Sequence, residues 1–234
     1  MASLTAGIIG GTGPQGTGLA LRLALAGVPV RIGSRQAQRA QEVAGELNLL
    51  LRAHGPGLAH DPAFPWITGD DNATVAGYAD VLLLTVPYES ADDTLKGLAG
   101  HFRKGSIFVD VTVPLDFSKG DAMPLVPPEG SGSKHLRTLV PAEIPFIGAG
   151  KTLPADTLAR IEQPLDCHAF VFGDDKDAKA KVIELLGRIA TLKPLDVGGL
   201  SAAATVEGMT ALLIRINRRY KTHHARFKVT GLRG

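Results

Sequence analysis

The chain has 234 residues, of which 44% are hydrophobic and 21% charged, the balance of a folded domain with a real core and without the low hydrophobicity of a disordered one. One cysteine, Cys167, excludes a disulfide framework and a cysteine-built zinc site, and no apolar run reaches the roughly 18 residues of a membrane span. The formal charge of +2 hides an asymmetry, because seven Lys or Arg and no acid lie from Arg215 onward.

That basic end fits either an anionic partner or a solvated helix terminus. It lacks interleaved aromatic side chains, so no nucleic acid is expected. The first residues show no basic segment followed by an apolar run, and a soluble, cytoplasmic protein is expected, without membrane contact.

Strand and helix alternate from the start. Ala6-Gly7-Ile8-Ile9 is a short apolar run ended by glycines and reads as a buried strand. Over 14–26, Leu19, Leu23 and Ala26, and again Leu21 and Leu25, recur at helical spacing. Pro14 suits a first helical turn, where its missing N–H costs nothing. A second strand is predicted at 28–32 and a second helix at 37–53, with Ala40, Val43, Ala44, Leu47, Leu50 and Leu51 on one stripe. Such a βαβ unit demands a parallel sheet and a right-handed crossover.

Further strands are predicted at 81–86 and 107–111, around a helix over 90–98. Between 113 and 147 prolines and glycines crowd together, and the chain reads as loop with a short helix near 133–143. A strand at 169–173, a helix over 178–190 and a strand at 192–197 follow. The last segment, 201–222, places Val206, Met209, Leu212, Leu213 and Ile216 at helical spacing. The sheet reads as continuous, with the terminal helix as an appended lobe.

Gly11-Thr12-Gly13-Pro14-Gln15-Gly16 fits G-x-G-x-x-G directly after a strand and opening a helix. In that context one glycine permits the tight turn, another lets backbone approach a pyrophosphate, and the third allows close packing. The free N–H groups and dipole of the helix N-terminus then hold the anion. An NAD site places Asp or Glu at the end of the second strand. This chain has Gly33-Ser34-Arg35 there and Arg39 one turn later. A carboxylate would repel a 2′-phosphate, whereas Ser34 and Arg35 can bond to one, with Thr12 adding a hydroxyl. The expected dinucleotide is therefore NADP. Thr85-Val86-Pro87-Tyr88 and Val111-Thr112-Val113-Pro114 end the next two strands, either facing the same crevice or simply terminated by proline.

These residues resemble the NADPH-dependent coenzyme F420 reductases, also called F420H2:NADP+ oxidoreductases. The similarity runs from Gly10-Gly11-Thr12-Gly13-Pro14-Gln15-Gly16 and Gly18-Leu19-Ala20-Leu21-Arg22-Leu23-Ala24 through Ile32-Gly33-Ser34-Arg35 and Leu84-Thr85-Val86-Pro87. It continues in Lys151-Thr152-Leu153-Pro154-Ala155, Phe172-Gly173-Asp174-Asp175 and Leu192-Lys193-Pro194-Leu195-Asp196. The resemblance implies an α/β fold with a Rossmann-like, doubly wound, mainly parallel sheet and a small C-terminal α-rich lobe. It assigns 1–150 to NADP binding and 151–234 to a smaller part that helps form the deazaflavin cleft.

It further implies that Thr12, Ser34, Arg35 and Arg39 hold the 2′-phosphate, and that Val86, Val113, Ala155 and Ala225 line the two rings, with Pro87, Thr152, Leu153 and Pro154 beside them. NADP(H) would be the cofactor, coenzyme F420 the co-substrate, and the protein a homodimer. Lys151, where relatives often carry His or Asn, and a long Pro/Gly-rich stretch over 116–132 depart from the family pattern. Direct hydride transfer between flat rings requires positioning and no acid, base, nucleophile or metal. The F420 phosphate and glutamate tail could meet the basic C-terminus.

Two other functions fit the same fold: an NADP-dependent reductase or dehydrogenase with a flavin or small molecule as hydride partner, and a non-catalytic NADP-sensing module. Other features read as structural. Cys167 is a small apolar filler at a strand edge, and Asp174-Asp175 caps the helix that follows. Adjacent His223 and His224 lack the spacing of a helical metal pair. Trp66 and Tyr88 read as core or cleft-wall packing.

Overall fold

The computed structural model describes residues 4–54 and 67–232; Trp66 lies outside them. The chain begins with strand β1 (Ala6–Ile9), helix α1 (Pro14–Leu25), strand β2 (Val30–Ser34) and helix α2 (Ala37–His54). Next come β3 (Ile67–Asp71), α3 (Asn72–Tyr78), β4 (Val81–Leu84), α4 (Ala91–Leu98) and β5 (Ile107–Asp110). A small hairpin, β6 (Leu115–Asp116) and β7 (Met123–Pro124), leads to α5 (Gly132–Arg137), β8 (Phe146–Ala149) and α6 (Ala155–Ala159). The chain closes with β9 (Cys167–Phe172), α7 (Lys176–Gly187), β10 (Leu192–Asp196) and α8 (Ala203–Tyr220).

Eight strands form one sheet in the order β10-β9-β8-β5-β4-β1-β2-β3. All neighbours pair in parallel except β8 with β9, where the direction reverses. This is the Rossmann-like, mainly parallel sheet expected, and β9 and β10 carry it on past residue 150. Helices cover both faces, so the central strands are buried on both sides and read as continuous apolar runs. Along each strand the side chains alternate between two cores. Ile8, Val81 and Leu83 pack with Leu19, Leu23, Val43 and Leu47, whereas Ile9, Leu82 and Leu84 pack with Val75, Leu95 and Leu136. A third cluster of Phe170, Phe172, Ala203 and Val206 seats α8, and Phe227 and Val229 of the tail pack on it. None of the described helices is long and apolar enough to cross a membrane.

Several boundaries differ from those predicted, each for a physical reason. The strand predicted at 28–32 runs instead from Val30 to Ser34, because the Val28 N–H bonds back to Leu23 and the ladder starts only after Pro29. Neither β3 nor α3 is recognisable in the sequence. β3 is an edge strand containing Gly69, Asp70 and Asp71, poor strand formers on their own. It is held from outside itself: the Asn48 amide on α2 donates to Ile67 O at 2.7 Å and accepts from Ile67 N at 3.3 Å. β8 falls where the sequence predicts loop and is a four-residue central strand. The helix expected over 133–143 ends at Arg137, whose guanidinium turns to the carbonyls of Val140, Pro141 and Ala142.

Two apolar stripes are also corrected. Leu50 on α2 and Leu212 on α8 face outward, and the buried side of α8 contains Val206, Glu207, Ala211 and Leu213. Cys167 fills the core as expected, and burial pushes its thiol up to about 11. Asp175 caps α7 by accepting from Ala178 N at 2.9 Å. Asp174 does a different job, accepting from Leu200 N at 2.9 Å.

Candidate functional site

A cleft of about 1050 Å³ opens at the C-terminal ends of β1, β2, β4 and β5. Strand order reverses between β1 and β4, and ligands of open α/β sheets bind at such a switch point. Its walls include the glycine turn, Ser34 and Arg35, the N-terminus of α3, residues 85–90, residues 111–113, Lys151, Leu153 and Thr210.

The glycine turn owes its shape to close contacts. Gly10 has φ +68°, and a Cβ there would collide with the Val86 side chain. Gly11 and Gly16 lie buried beneath the turn, where a Cβ on Gly16 would stand 2.6 Å from Gly11 Cα. Gly13 is different. It faces open space, where a Cβ would meet nothing nearer than 3.9 Å, and it precedes α1 with no side chain capping the helix. The first N–H groups of α1 thus point at the cleft without a side-chain partner, the arrangement that takes an anion. Thr12, Pro14 and Gln15 line the cleft beside them.

Ser34 ends β2 and Arg35 follows it, exposed, both on the cleft wall. Arg39 stands one turn along α2, outside the lining, 3.7 Å from Glu42. Asp71, the strand neighbour of Ser34, is a wall residue too, but its carboxylate caps α3 by accepting from Thr74 N and Oγ1. Those bonds hold its pKa below the usual carboxylate range.

At the other end, Val86, Pro87, Val113 and Leu153 line the cleft. Thr85 Oγ1 donates to Ile9 O at 3.0 Å and ties β4 to β1 there. Thr152 is buried behind Leu153, Pro154 precedes α6 and Ala155 opens it, none of them in the lining. Ala225 belongs to the tail, where its N–H donates to Asn217 Oδ1 at 3.0 Å, and it too is outside the lining. The segment that begins at Ala155 is bolted to α1 by Arg22. Its buried guanidinium donates to the carbonyls of Thr157, Leu158, Arg160, Ile161 and Gln163 at 2.7–3.4 Å.

Behind this end lies a charged network that the sequence does not announce. Lys151 Nζ donates to Asp110 Oδ2 at 2.7 Å and to Thr112 O, and lies 3.6 Å from Glu207 Oε1. Glu207 accepts from Gly132 N and Ser133 N at 2.9 Å each. Gly150, just before Lys151, turns at φ +70°. Tyr88 stands beside the cleft with its phenol pushed up to about 12 by burial and then by Asp92, Glu207, Asp110 and Glu129, so it remains a hydrogen-bond donor.

Much of the basic end of the chain is already paired. Arg215 and Arg218 meet Asp121 at 3.0 and 3.5 Å, Arg218 also donates to Gly120 O, and Lys228 meets Asp166 at 2.7 Å.

Comparison with known proteins finds relatives that span nearly the whole chain. Residues 5–114 match the family model described as NADP oxidoreductase, coenzyme F420-dependent. An F420-dependent NADP reductase of Methanocaldococcus jannaschii is 35% identical over 227 residues, spanning 96% of this chain and 97% of its own. Its counterpart in Methanothermobacter marburgensis is 35% identical over 228 residues, with the same coverage of both chains. Among solved structures, a protein from Arthrobacter sp. FB24 described as an F420-dependent NADP-reductase superposes with a TM-score of 0.74 at 25% identity, over 98% of this chain and all of the other. On the strength of these full-length similarities, the chain belongs to the family of F420-dependent NADP reductases and is an oxidoreductase.

Proposed function

We propose that the protein transfers a hydride reversibly between NADP(H) and coenzyme F420, the two held face to face in the one cleft. The observation that carries this reading is the continuity of the cleft. It runs from Ser34 and Arg35, past the uncapped N-terminus of α1, to residues 85–88 and 111–113. Its volume stands at the top of the roughly 300–1,000 Å³ that single ligands occupy.

The residues present fit an NADP molecule. Ser34, Thr12 and Arg35 offer hydroxyl and guanidinium donors for the 2′-phosphate, with Arg39 adding charge from the next turn. Gly13, Gln15 and the helix terminus take the pyrophosphate, while Gly11, Pro14 and Gly16 hold the turn in shape. The Asp71 carboxylate is turned to Thr74 as the cap of α3, and its negative charge beside Ser34 is one that Arg35 and Arg39 must offset when a phosphate binds. When bound, the two coenzymes would supply the chemistry, exchange of a hydride between nicotinamide and deazaflavin with the accompanying proton taken from or returned to solvent.

The chain's own residues orient and enclose. Val86, Pro87, Val113 and Leu153 present small or rigid apolar surfaces to the rings, Thr152, Pro154 and Ala155 flank Leu153 in the chain, and Ala225 stays outside the lining. Residues 1–150 thus supply the NADP side and 151–234 the closing side. No free acid or base is needed at the rings, and Lys151 is fully committed to its partners. The same reading carries a cytoplasmic homodimer with no nucleic-acid or membrane partner. The exposed Phe117, Met123 and Leu125 of the hairpin segment and Leu212 of α8 are apolar surface available to a second copy.

The test mixes purified protein with NADPH and F420 and follows the visible absorbance of the deazaflavin. Bleaching with equal loss of NADPH is expected, and NADPH deuterated at C4 should deliver its label to the deazaflavin. Tight NADPH binding without bleaching would defeat the proposal in favour of a sensor, and bleaching of flavins alone would defeat it in favour of another reductase.

A further inference from the structure

We propose that Glu207 is a positioning residue for the hydride transfer, setting the ring-side wall of the cleft through Lys151 and the first turn of α5; this rests on the reading above. Asp110, Lys151 and Glu207 place two carboxylates and one ammonium together with side-chain exposures of 0, 0 and 4%. Isolated charges are costly to bury, and they persist in an interior only when every lone pair and proton is matched. Here they are matched closely. Asp110 Oδ1 accepts from Thr112 N and Oγ1, and its Oδ2 accepts from Lys151 Nζ and from Ser133 Oγ at 2.6 Å. Glu207 Oε2 takes Gly132 N, and Oε1 takes Ser133 N and faces Lys151.

The network joins the end of β5, α5, the segment at Lys151 and α8, and all of these but α5 bring residues to the cleft wall. Asp110 ends β5 just before Thr112 and Val113, which line the cleft, and Lys151 directly precedes 152–155. Glu207 sits on α8, one turn before Thr210, a wall residue whose Oγ1 donates to the Lys151 carbonyl at 3.0 Å. α8 therefore grips Lys151 at both its ammonium and its backbone. An apolar filler of similar volume would give comparable or better cohesion, so cohesion alone does not account for these charges. Directional bonds fix position, and position is what ring-to-ring transfer demands, since a misplacement of about 1 Å can cost roughly 100-fold.

The experiment compares wild type with Glu207→Ala, Glu207→Gln and Thr210→Val, each counted by NADPH-binding sites and measured for single-turnover hydride transfer. Glu207→Ala is expected to slow transfer by about 30- to 100-fold and to raise KM for F420, with NADPH affinity within about threefold of wild type. Glu207→Gln, which keeps an acceptor for the α5 turn, should recover a large part of the rate, and Thr210→Val should lose only a few-fold. A purely structural role would lower thermal stability and the number of binding sites while leaving the rate per site alone. Folded Glu207→Ala and Glu207→Gln proteins with rates within about twofold of wild type would overturn the proposal. If Glu207→Ala does not fold, wild-type rates in both Glu207→Gln and Thr210→Val overturn it equally. Unmoved variants beside an active wild type defeat this inference alone, whereas a wild type that cannot bleach F420 defeats the reading beneath it.

Discussion

The phosphate end of the cleft is local, exposed and soft, whereas the ring end is assembled from distant segments and locked in the interior. Thr12, Gly13, Ser34 and Arg35 belong to one βαβ unit, and Arg35 is exposed. Lys151 meets Asp110 across 41 residues, and Glu207 meets Gly132 across 75, all of them buried. The two ends ask for different things. A phosphate is recognised by charge and by directed N–H groups, which tolerate small displacements because each donor can follow the anion. Two stacked rings must keep a separation of about 3–3.5 Å, so their walls have to be stiff. Loss of a group at the first end is therefore expected to cost affinity, and loss at the second to cost rate.

The most damaging way to break this division is to cut the bolt between the two ends. Arg22 on α1, whose first turn serves the phosphate end, holds five carbonyls of the segment that opens at Ala155. Arg22→Met leaves buried acceptors unpaired, and a loss on the order of 3 kcal/mol in urea unfolding is expected. Both NADPH affinity and transfer rate should fall together in whatever protein folds. A stability within about 0.5 kcal/mol of wild type would show the two ends to be independently held.

Arg35→Ala tests the soft end by itself. Removing a charged partner of the 2′-phosphate should raise KM for NADPH by roughly 10- to 100-fold, leave KM for NADH nearly unmoved, and spare the transfer rate at saturation. Equal shifts for the two dinucleotides in steady-state assays would remove the 2′-phosphate from this end of the cleft.

The smallest effect comes from behind the rigid end. His135, on the helix whose first turn is held by Glu207, lies 3.0 Å from Asp92 and 3.2 Å from Glu129. Burial pulls its pKa down, but the contacts with Glu129 and Asp92 and the charges of those carboxylates outweigh that and leave it above the ordinary 6.5. A raised folded-state pKa means that the protonated ring stabilises the fold fully below pH 6.5 and that this contribution disappears as pH rises through the raised value. Relative to wild type, His135→Gln should be destabilised by about 0.5 kcal/mol at pH 5.5 and by progressively less towards pH 8.5, read from urea midpoints. A difference that grows with pH would contradict the pairing.

Legibility followed the same division. The central strands and α1, α2 and α7 were readable because buried parallel strands are apolar throughout and their helices repeat at regular spacing. β3 was not, since Asp70 and Asp71 form a strand only because α2 and the Asn48 amide hold that edge in place. On α8, the apolar stripe suggested Leu212 as core, while the helix turns Glu207 inward instead. Lys151 was visible only as a departure from the family pattern. Nothing in residues 148–151 discloses that Asp110 and Glu207 wait at the end of its side chain.

By itself the sequence determined the alternation of strand and helix, the glycine turn, the absence of an acid after β2 and the family, because each depends on residues close together in the chain or on an ordered set of motifs. Tertiary structure alone decided that β9 and β10 run in reverse within the continuous sheet and that Arg22 joins α1 to α6. It also decided that an ammonium and two carboxylates close the ring end. Those outcomes depend on which distant segments the packing brings within hydrogen-bond reach, and burial then makes each such contact strong.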